Sequence, residues 1–372
     1  MRFFVIILFG FLLYNSWPTF EERFGDTPIR SIISGLDAIK ENTDLSTVTE
    51  DLNNLKDFFN EGLIDESVPE ESQLKLEKPE LVQPSQEMFS ISNIEMGDTR
   101  AEVEAQLGAP NRSSINEYGT EWNAYHQNFQ NFLMIAYDER NQVAGMYTNH
   151  DLLSSTNNIQ MGSPKELVLQ KLGKSLDRIQ KGMVFYQLPK DRDYDLFLID
   201  GSYVSIFYDK HQENTVTAIQ LIKESLEQQR SDFYTKANNE LKQGFEYQMF
   251  DLTNAARVKN GLPVLEWDEM VKETARKHSI DMAVNNYFSH TNLNGQSPFD
   301  RMEEDNILFS TAGENLAYGQ TSSVYAHAGL MNSLGHRENI LKEEFKMLGV
   351  GVAFNSQSQP YYTQNYYTKR GY

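Results

Sequence analysis

Two histidines and a glutamate stand out in the last third of this 372-residue chain. Each lies in a short segment beside Gly, Ser or Asn, where a chain turns and side chains from separate segments can converge on one cleft. His290 closes Tyr287-Phe288-Ser289-His290, Glu314 sits in Gly313-Glu314-Asn315-Leu316-Ala317, and His336 lies in the run from Met331 to Leu341. Two neutral imidazoles and one carboxylate form a donor set for a zinc-like divalent ion with one position left for water, and such a water is a nucleophile near neutral pH. The same groups also work without metal: Glu314 accepting hydrogen bonds from both imidazoles would fix loops together, and its charge would raise the histidine pKa values. The three residues lack the H-E-x-x-H spacing of a metalloprotease helix, so structural network, metal site and catalytic centre all stay open. His327, nine residues before His336, is a candidate fourth group; Leu330 and Met331 beside it on a helix argue instead for a histidine on a core-facing stripe.

The elements around these residues are helical. Phe245, Met249, Leu252 and Ala256 recur on one helix face, Pro263-Val264-Leu265 is an extended link, and Asp268-Glu269 opens a second helix carrying Met270, Ala275, His278, Met282 and Ala283. Gly349 and Gly351 flank Val350 in a strand-like run and permit close backbone approach. Asn315 and Asn339 are suited to hold loop backbone through their side chains. Arg337 and Glu338 read as surface charges. Tyr361, Tyr362, Tyr366 and Tyr367 fall in pairs, so some are expected to face solvent or a cleft.

Upstream lies an internal repeat. Ile94-Glu95-Met96-Gly97 recurs as Ile159-Gln160-Met161-Gly162, and Leu107-Gly108 as Leu172-Gly173, both 65 residues on. Each copy continues into a short helix, started at Asp98-Thr99 or Ser163-Pro164 and stopped at Leu-Gly. Strand-like runs follow at 131–137 and 143–147, then at 183–188, 195–199, 203–208 and 216–222, with a hairpin signal at Asp200-Gly201. Residues 88–225 thus read as two helix-plus-antiparallel-strand units, 88–150 and 153–225, packed as a pair. Their histidines, His126, His150 and His211, are isolated and carry no catalytic spacing. A polar connector spans 226–243.

The N-terminus points outward from the cytoplasm. Met1-Arg2 precedes the unbroken apolar run Phe3 to Tyr14, which suits a secretory signal and is short of the roughly 20 residues of a spanning helix. No A-x-A-like cleavage site follows, and Trp17 and Phe20 suit a membrane interface, so residues 1–20 read as signal peptide or membrane anchor. Residues 21–87 read as an acidic helical stalk and linker. The net charge of -20 excludes nucleic acid as a partner held by bulk electrostatics. The absence of cysteine excludes disulfides, thiolate metal sites and a cysteine nucleophile. No G-x-S-x-G elbow is present.

Six motifs in order raise residues 244–372 above a generic α+β domain: Asn254 to Leu265, Phe288-Ser289-His290, Gly313 to Ala317, Met331 to Leu341, Leu348 to Ala353 and Tyr361 to Tyr366. Together they resemble the bacterial form of the CAP superfamily (cysteine-rich secretory proteins, antigen 5, pathogenesis-related 1), and the repeat before them resembles the CAP-associated N-terminal domain. The resemblance implies an α-β-α sandwich with a cleft lined by two His and two Glu, holding a divalent metal such as zinc in some members. His290, His336 and Glu314 match three of the four; no Asp or Glu occurs between Asn315 and Gly335, and Leu330 stands where a Trp is common. The expected function is that of an extracytoplasmic protein, secreted or anchored, that binds an envelope protein, glycan or lipid through the cleft. The alternatives are a divalent-metal-dependent hydrolase, with Glu314 as third ligand or general base, and a lipid-binding protein.

Overall fold

The computed structural model describes residues 76–230 and 232–371. The expected signal or anchor, and the stalk as far as residue 75, lie outside the described residues. The first repeat contains strand β1 (Phe89–Ile91), helix α1 (Arg100–Leu107), β2 (Arg112–Ile115), β3 (Glu121–Gln127), β4 (Gln130–Tyr137), β5 (Val143–Thr148) and β6 (Leu153–Ser155). The second contains α2 (Lys165–Leu172), β7 (Arg178–Lys181), β8 (Val184–Gln187), β9 (Tyr194–Ile199), β10 (Ser202–Asp209) and β11 (Thr215–Lys223). Thr99 caps α1 in a reciprocal box with Glu102, whereas α2 starts at Pro164 without a side-chain cap. The expected cap Ser163 instead accepts from the Gln160 amide at 3.0 Å. Both helices stop at a glycine with positive φ, Gly108 and Gly173, as the Leu-Gly pairs require.

The two repeats form one sheet, where the sequence suggested two units packed together. Its strand order is β2-β3-β4-β5-β11-β10-β9, with β5 antiparallel to β11 and Thr148 opposite Ile219. Each repeat on its own would leave an edge of unpaired N–H and C=O groups, and joining the edges satisfies both. Strands β7 and β8 pair only with each other. One face of the sheet packs on Val103 of α1 and Val168 of α2. The other face, with Trp122, Phe132, Met134 and Phe207, packs on Leu252, Ala255 and Val324 of the C-terminal domain.

That domain follows a short helix, α3 (Glu224–Gln229), and runs α4 (Asn239–Lys259), β12 (Glu266–Trp267), α5 (Glu269–Asn285), α6 (Pro298–Glu304), β13 (Phe309–Tyr318), α7 (Ser323–Asn332), α8 (Leu334–Ile340), β14 (Met347–Phe354) and β15 (Pro360–Lys369). Its sheet has the order β12-β14-β15-β13. A Cβ added to Gly349 or Gly351 would lie 2.2 Å from the Lys272 amide or 2.0 Å from the Arg276 amide, so α5 sits directly on that face. Leu348, Val350 and Val352 point the other way, into a core with Phe245 and Met249 of α4. The α-β-α sandwich is therefore present. All four paired tyrosines of β15 are buried; helices cover both faces of this strand, so none is left for a solvent-facing rim.

Helix α4 lies between the two sheets and is buried along most of its length. Its polar residues reach both ways. Gln248 donates to Ser114 Oγ at 3.1 Å and to the Ile115 carbonyl at 2.9 Å, and Asp251 pairs with Arg112 at 3.1 Å. Toward the other sheet Glu246 accepts from Arg276 Nε at 2.8 Å and from the Val352 amide at 3.0 Å. Gly244 is where α4 meets β2: a Cβ there would lie 2.0 Å from the Ile115 carbonyl oxygen. His150 crosses the same boundary, its Nε2–H donating to the Ala255 carbonyl at 2.9 Å. Burial pushes the His150 pKa down from 6.5 to about 4, so the ring is held neutral.

Two outcomes follow from this interface. Gly244→Ala should destabilise the protein by about 2 kcal/mol or more through overpacking, despite a helix-propensity gain of about 1 kcal/mol; urea denaturation measures it. The second concerns pH. Because the folded pKa of His150 is depressed, its contribution is complete above 6.5 and is lost as pH falls toward 4, by about 3 kcal/mol at most. Buried Glu117 and Asp251, pushed up to about 7, act with the opposite sign. The difference in unfolding free energy between wild type and His150→Gln isolates the histidine, and it should shrink as pH falls from 6.5 to 4.

Candidate functional site

The cleft is built on β13, an edge strand of the C-terminal sheet. Along β13, Leu316 points into the core beneath α5, while Ala317 joins the core beneath α4. Glu314 therefore shares the α5 side with Leu316, and Asn315 faces the α8 side with Ala317.

On the first side, α5 ends at Asn286 in the left-handed conformation and releases the loop carrying His290. Three contacts fix that loop. Buried His278 on α5 donates from Nε2 to the Ser289 carbonyl at 2.9 Å, Tyr287 donates to Asp281, and Arg301 Nη1 donates to the His290 carbonyl at 2.8 Å. Arg301 stands on α6, which Ser297 and Asp300 cap reciprocally and Pro298 opens. From there its Nη2 donates to Glu314 Oε2 at 2.7 Å, while His290 Nδ1 donates to Glu314 Oε1 at 2.8 Å. Glu314 and Arg301 are buried and the His290 side chain is 52% exposed. With Nδ1–H tied inward, Nε2 of His290 is the atom presented outward.

On the other side, α8 carries His336. Asn315 Nδ2 donates to the His336 carbonyl at 3.0 Å, and Asn339 Nδ2 donates to Asn315 Oδ1 at 3.0 Å and to the Glu314 carbonyl at 3.2 Å. The two asparagines thus perform the backbone-holding role expected of them. His336 Nδ1 bonds to Ser333 Oγ at 2.8 Å, leaving its Nε2 free of that bond. Burial, and then the nearby His290, push the His336 pKa down. The expected rise is reversed for this residue, because the Glu314 carboxylate faces His290 and Arg301 instead.

The fourth group does not join them. His327 is buried beside Tyr147, Phe207, Lys259 and Met331 in a cavity of about 50 Å³ between the two domains, and burial pushes its pKa down to about 3. It occupies the core-facing stripe. Arg337, read as a surface charge, pairs with Asp209 at 3.0 Å across the same boundary. Arg301 and His278 are the site residues that sequence reasoning passed over. The signal for Arg301 was the Ser297-Pro298-Phe299-Asp300 helix start, which places the next residue back toward the His290 loop.

A zinc ion held by three protein ligands does not fit this arrangement. Both Glu314 oxygens already accept hydrogen bonds, one from a guanidinium, and among the described residues no group of three His, Cys, Asp or Glu side chains is placed to hold a metal ion. A site of two imidazoles falls below the three or four protein ligands of usual zinc centres.

Comparison with known proteins agrees with the architecture. Residues 250–366 match the cysteine-rich secretory protein family, CAP, and residues 96–233 match the CAP-associated N-terminal family. The uncharacterized membrane protein YlbC of Bacillus subtilis is 29% identical over 288 residues, covering 73% of this chain and 82% of that protein. A second Bacillus subtilis protein, YkwD, is 42% identical over 125 residues, 34% of this chain and 48% of the relative. Among solved structures, an extracellular SCP-domain protein of Bacillus anthracis matches with a TM-score of 0.64 and 27% identity, covering 79% of this chain and all of that one. A cysteine-rich secretory protein of Staphylococcus aureus shares the fold at a TM-score of 0.57 and 13% identity, covering 78% of this chain and all of the other.

The buried Arg301–Glu314 pair makes a direct prediction. Glu314→Ala should cost about 3–5 kcal/mol by leaving the guanidinium buried without a counter-charge, and replacing both partners by Arg301→Met with Glu314→Leu should cost less. Urea denaturation of the two variants gives the comparison.

Proposed function

The chain joins a CAP-associated N-terminal domain to a CAP domain, and from that premise we propose that it is an extracytoplasmic protein that binds an envelope ligand or partner through the His290–His336 cleft. One observation carries this reading: a buried ion pair is arranged to orient a half-exposed imidazole. Buried salt bridges are poor stabilisers in their own right, so the Arg301–Glu314 pair makes better sense as a means of fixing where His290 points. With Nδ1–H directed at Glu314, Nε2 of neutral His290 accepts a hydrogen bond from a ligand hydroxyl or amide. Protonated, it becomes a charge-assisted donor to a carboxylate. His336, whose pKa burial and then His290 push down, adds a second imidazole on this side of the domain. Phe288 and Leu334 are exposed beside these groups, and the Phe288 ring lies 5.9 Å from that of Tyr318. Apolar surface next to convergent polar groups is the usual makeup of a recognition site.

The extracytoplasmic placement draws on the relatives, one described as extracellular and one as a membrane protein, together with the apolar run from Phe3 to Tyr14. Whether secreted or anchored, the ligand classes are those of the envelope: glycan, peptide, protein or lipid headgroup. The hydrolase and lipid-binding alternatives have no comparable observation behind them. For the hydrolase in particular, Glu314 is already engaged by a guanidinium and is poorly suited to act as base or ligand.

The test is binding of the full chain to purified peptidoglycan, lipid vesicles and envelope-protein extracts, followed by titration of whichever binds. His290→Ala and His336→Ala should each lower affinity about tenfold, the loss of one charged or well-placed hydrogen bond, with the unfolding midpoint held. Absence of binding to all three, or binding to every one of them that both variants retain in full, would overturn the proposal.

A further inference from the structure

The hairpin of β7 and β8 stands apart from the rest of the protein in composition and in packing. Its tip reads Gly182-Met183-Val184-Phe185, and Met183 is 96% exposed, with Val184, Phe185 and the neighbouring Leu198 also exposed. Leu198 of edge strand β9 lines the same surface depression as Gly182 of the turn. Contiguous exposed apolar residues on an otherwise polar surface mark an interaction site.

The hairpin is held up to the turn itself, since Lys181, the last residue of β7, is the one that is buried. Lys181 pairs with buried Glu227 at 2.7 Å and donates to the Arg230 carbonyl at 2.8 Å, and Tyr186 stacks on Phe233 with ring centroids 6.0 Å apart. Gln180 donates to the Gly182 carbonyl at 3.0 Å across the turn. A hairpin pinned at the residue before its turn holds Met183 and Phe185 exposed in a fixed place.

Charge selects the partner. The chain carries a net -20, yet residues 171–194 contain six basic and three acidic side chains. Lys171, Lys174, Arg178 and Lys190 are exposed there, and Arg178 lies 4.5 Å over the Phe185 ring. Apolar side chains at an exposed turn, flanked by exposed Lys and Arg, are complementary to the interface of an anionic bilayer, where the apolar groups enter the acyl boundary and the cations meet lipid phosphates. We propose that the β7–β8 hairpin docks the CAP-associated domain on an anionic membrane surface. This contact is separate from the CAP cleft and from any N-terminal anchor, and it would hold the body of the protein against the bilayer.

The absence of cysteine makes a site-specific test available. Met183→Cys introduces the single thiol of the full chain, which is then labelled with an environment-sensitive NBD fluorophore and titrated with vesicles. Vesicles containing phosphatidylglycerol should shift the emission to the blue and raise its intensity severalfold, with quenching by a lipid-borne quencher. Apparent affinity should be about tenfold or more above that for phosphatidylcholine alone and should fall with salt, as a few exposed cations require. The triple change Lys174→Glu, Arg178→Glu and Lys190→Glu should abolish the preference for anionic vesicles. The same label at Glu303→Cys on α6 should not respond. Emission at position 183 unchanged by vesicles, already shifted without them, or matched at position 303 would overturn the proposal. The first result leaves the hairpin tip in water, the second means the protein covers its own hairpin, and the third reports attachment that is not local to the hairpin.

Discussion

Most of this structure depends on one constraint: α4 is buried along most of its length between two sheets, so the polar side chains it buries must find their partners in protein. The partners it finds are the joints of the molecule. Glu246 ties it to α5 and β14, Gln248 and Asp251 tie it to β2, and Asn254 both donates to and accepts from Leu265 in the link that follows. Arg257, fully buried without a carboxylate, donates to the carbonyls of Pro263, Ile340 and Lys342 at 2.7–2.9 Å. Two of those carbonyls belong to the end of α8 and the residues after it, where a helix leaves acceptors unsatisfied.

The cleft hangs from the same helix. Thr253 accepts from Gln364, whose Oε1 accepts from Asn315, which in turn holds the backbone of His336. Arg257 grips α8 from its far end. The position of His336 is thus fixed by hydrogen bonds that begin on a helix facing the other domain, whereas His290 is fixed locally, through Arg301 and His278. The two imidazoles are supported by different parts of the protein.

How much of this could be read from the chain depended on whether an interaction was local. The helix stops at Gly108 and Gly173, the Asp268 cap of α5 and the close approach at Gly349 and Gly351 follow from residue type and spacing, and all were legible. Strands β2 and β3 were not, because Glu121-Trp122-Asn123-Ala124-Tyr125-His126-Gln127 carries polar residues that adjacent strands and turns of the same domain satisfy. The merging of both repeats into one sheet was hidden for a related reason: strand pairing across a repeat boundary leaves no mark on either strand. In the cleft, the motifs located His290, Glu314 and His336, but the partner that decides what Glu314 can do is Arg301. A guanidinium aimed at a carboxylate thirteen residues away has no spacing rule. His327 followed the helix-stripe reading that Leu330 and Met331 supported, and its helix turns it toward the β-sheet of the first domain.

The continuous sheet also constrains the order in which the chain can acquire its shape. Strands β2 to β5 are made first and form a meander with local contacts, but β5 must wait for β11, the last strand of the second repeat, before its outer edge is covered. Until then a row of unpaired backbone groups along Gly145, Met146, Tyr147 and Thr148 is open to pairing with another chain. The opposite face stays bare longer still, because α4 and α7, which cover Trp122 and Phe207, come later in the sequence. The N-terminal domain therefore has no finished state of its own during synthesis, and its folding is completed only by the domain that follows it.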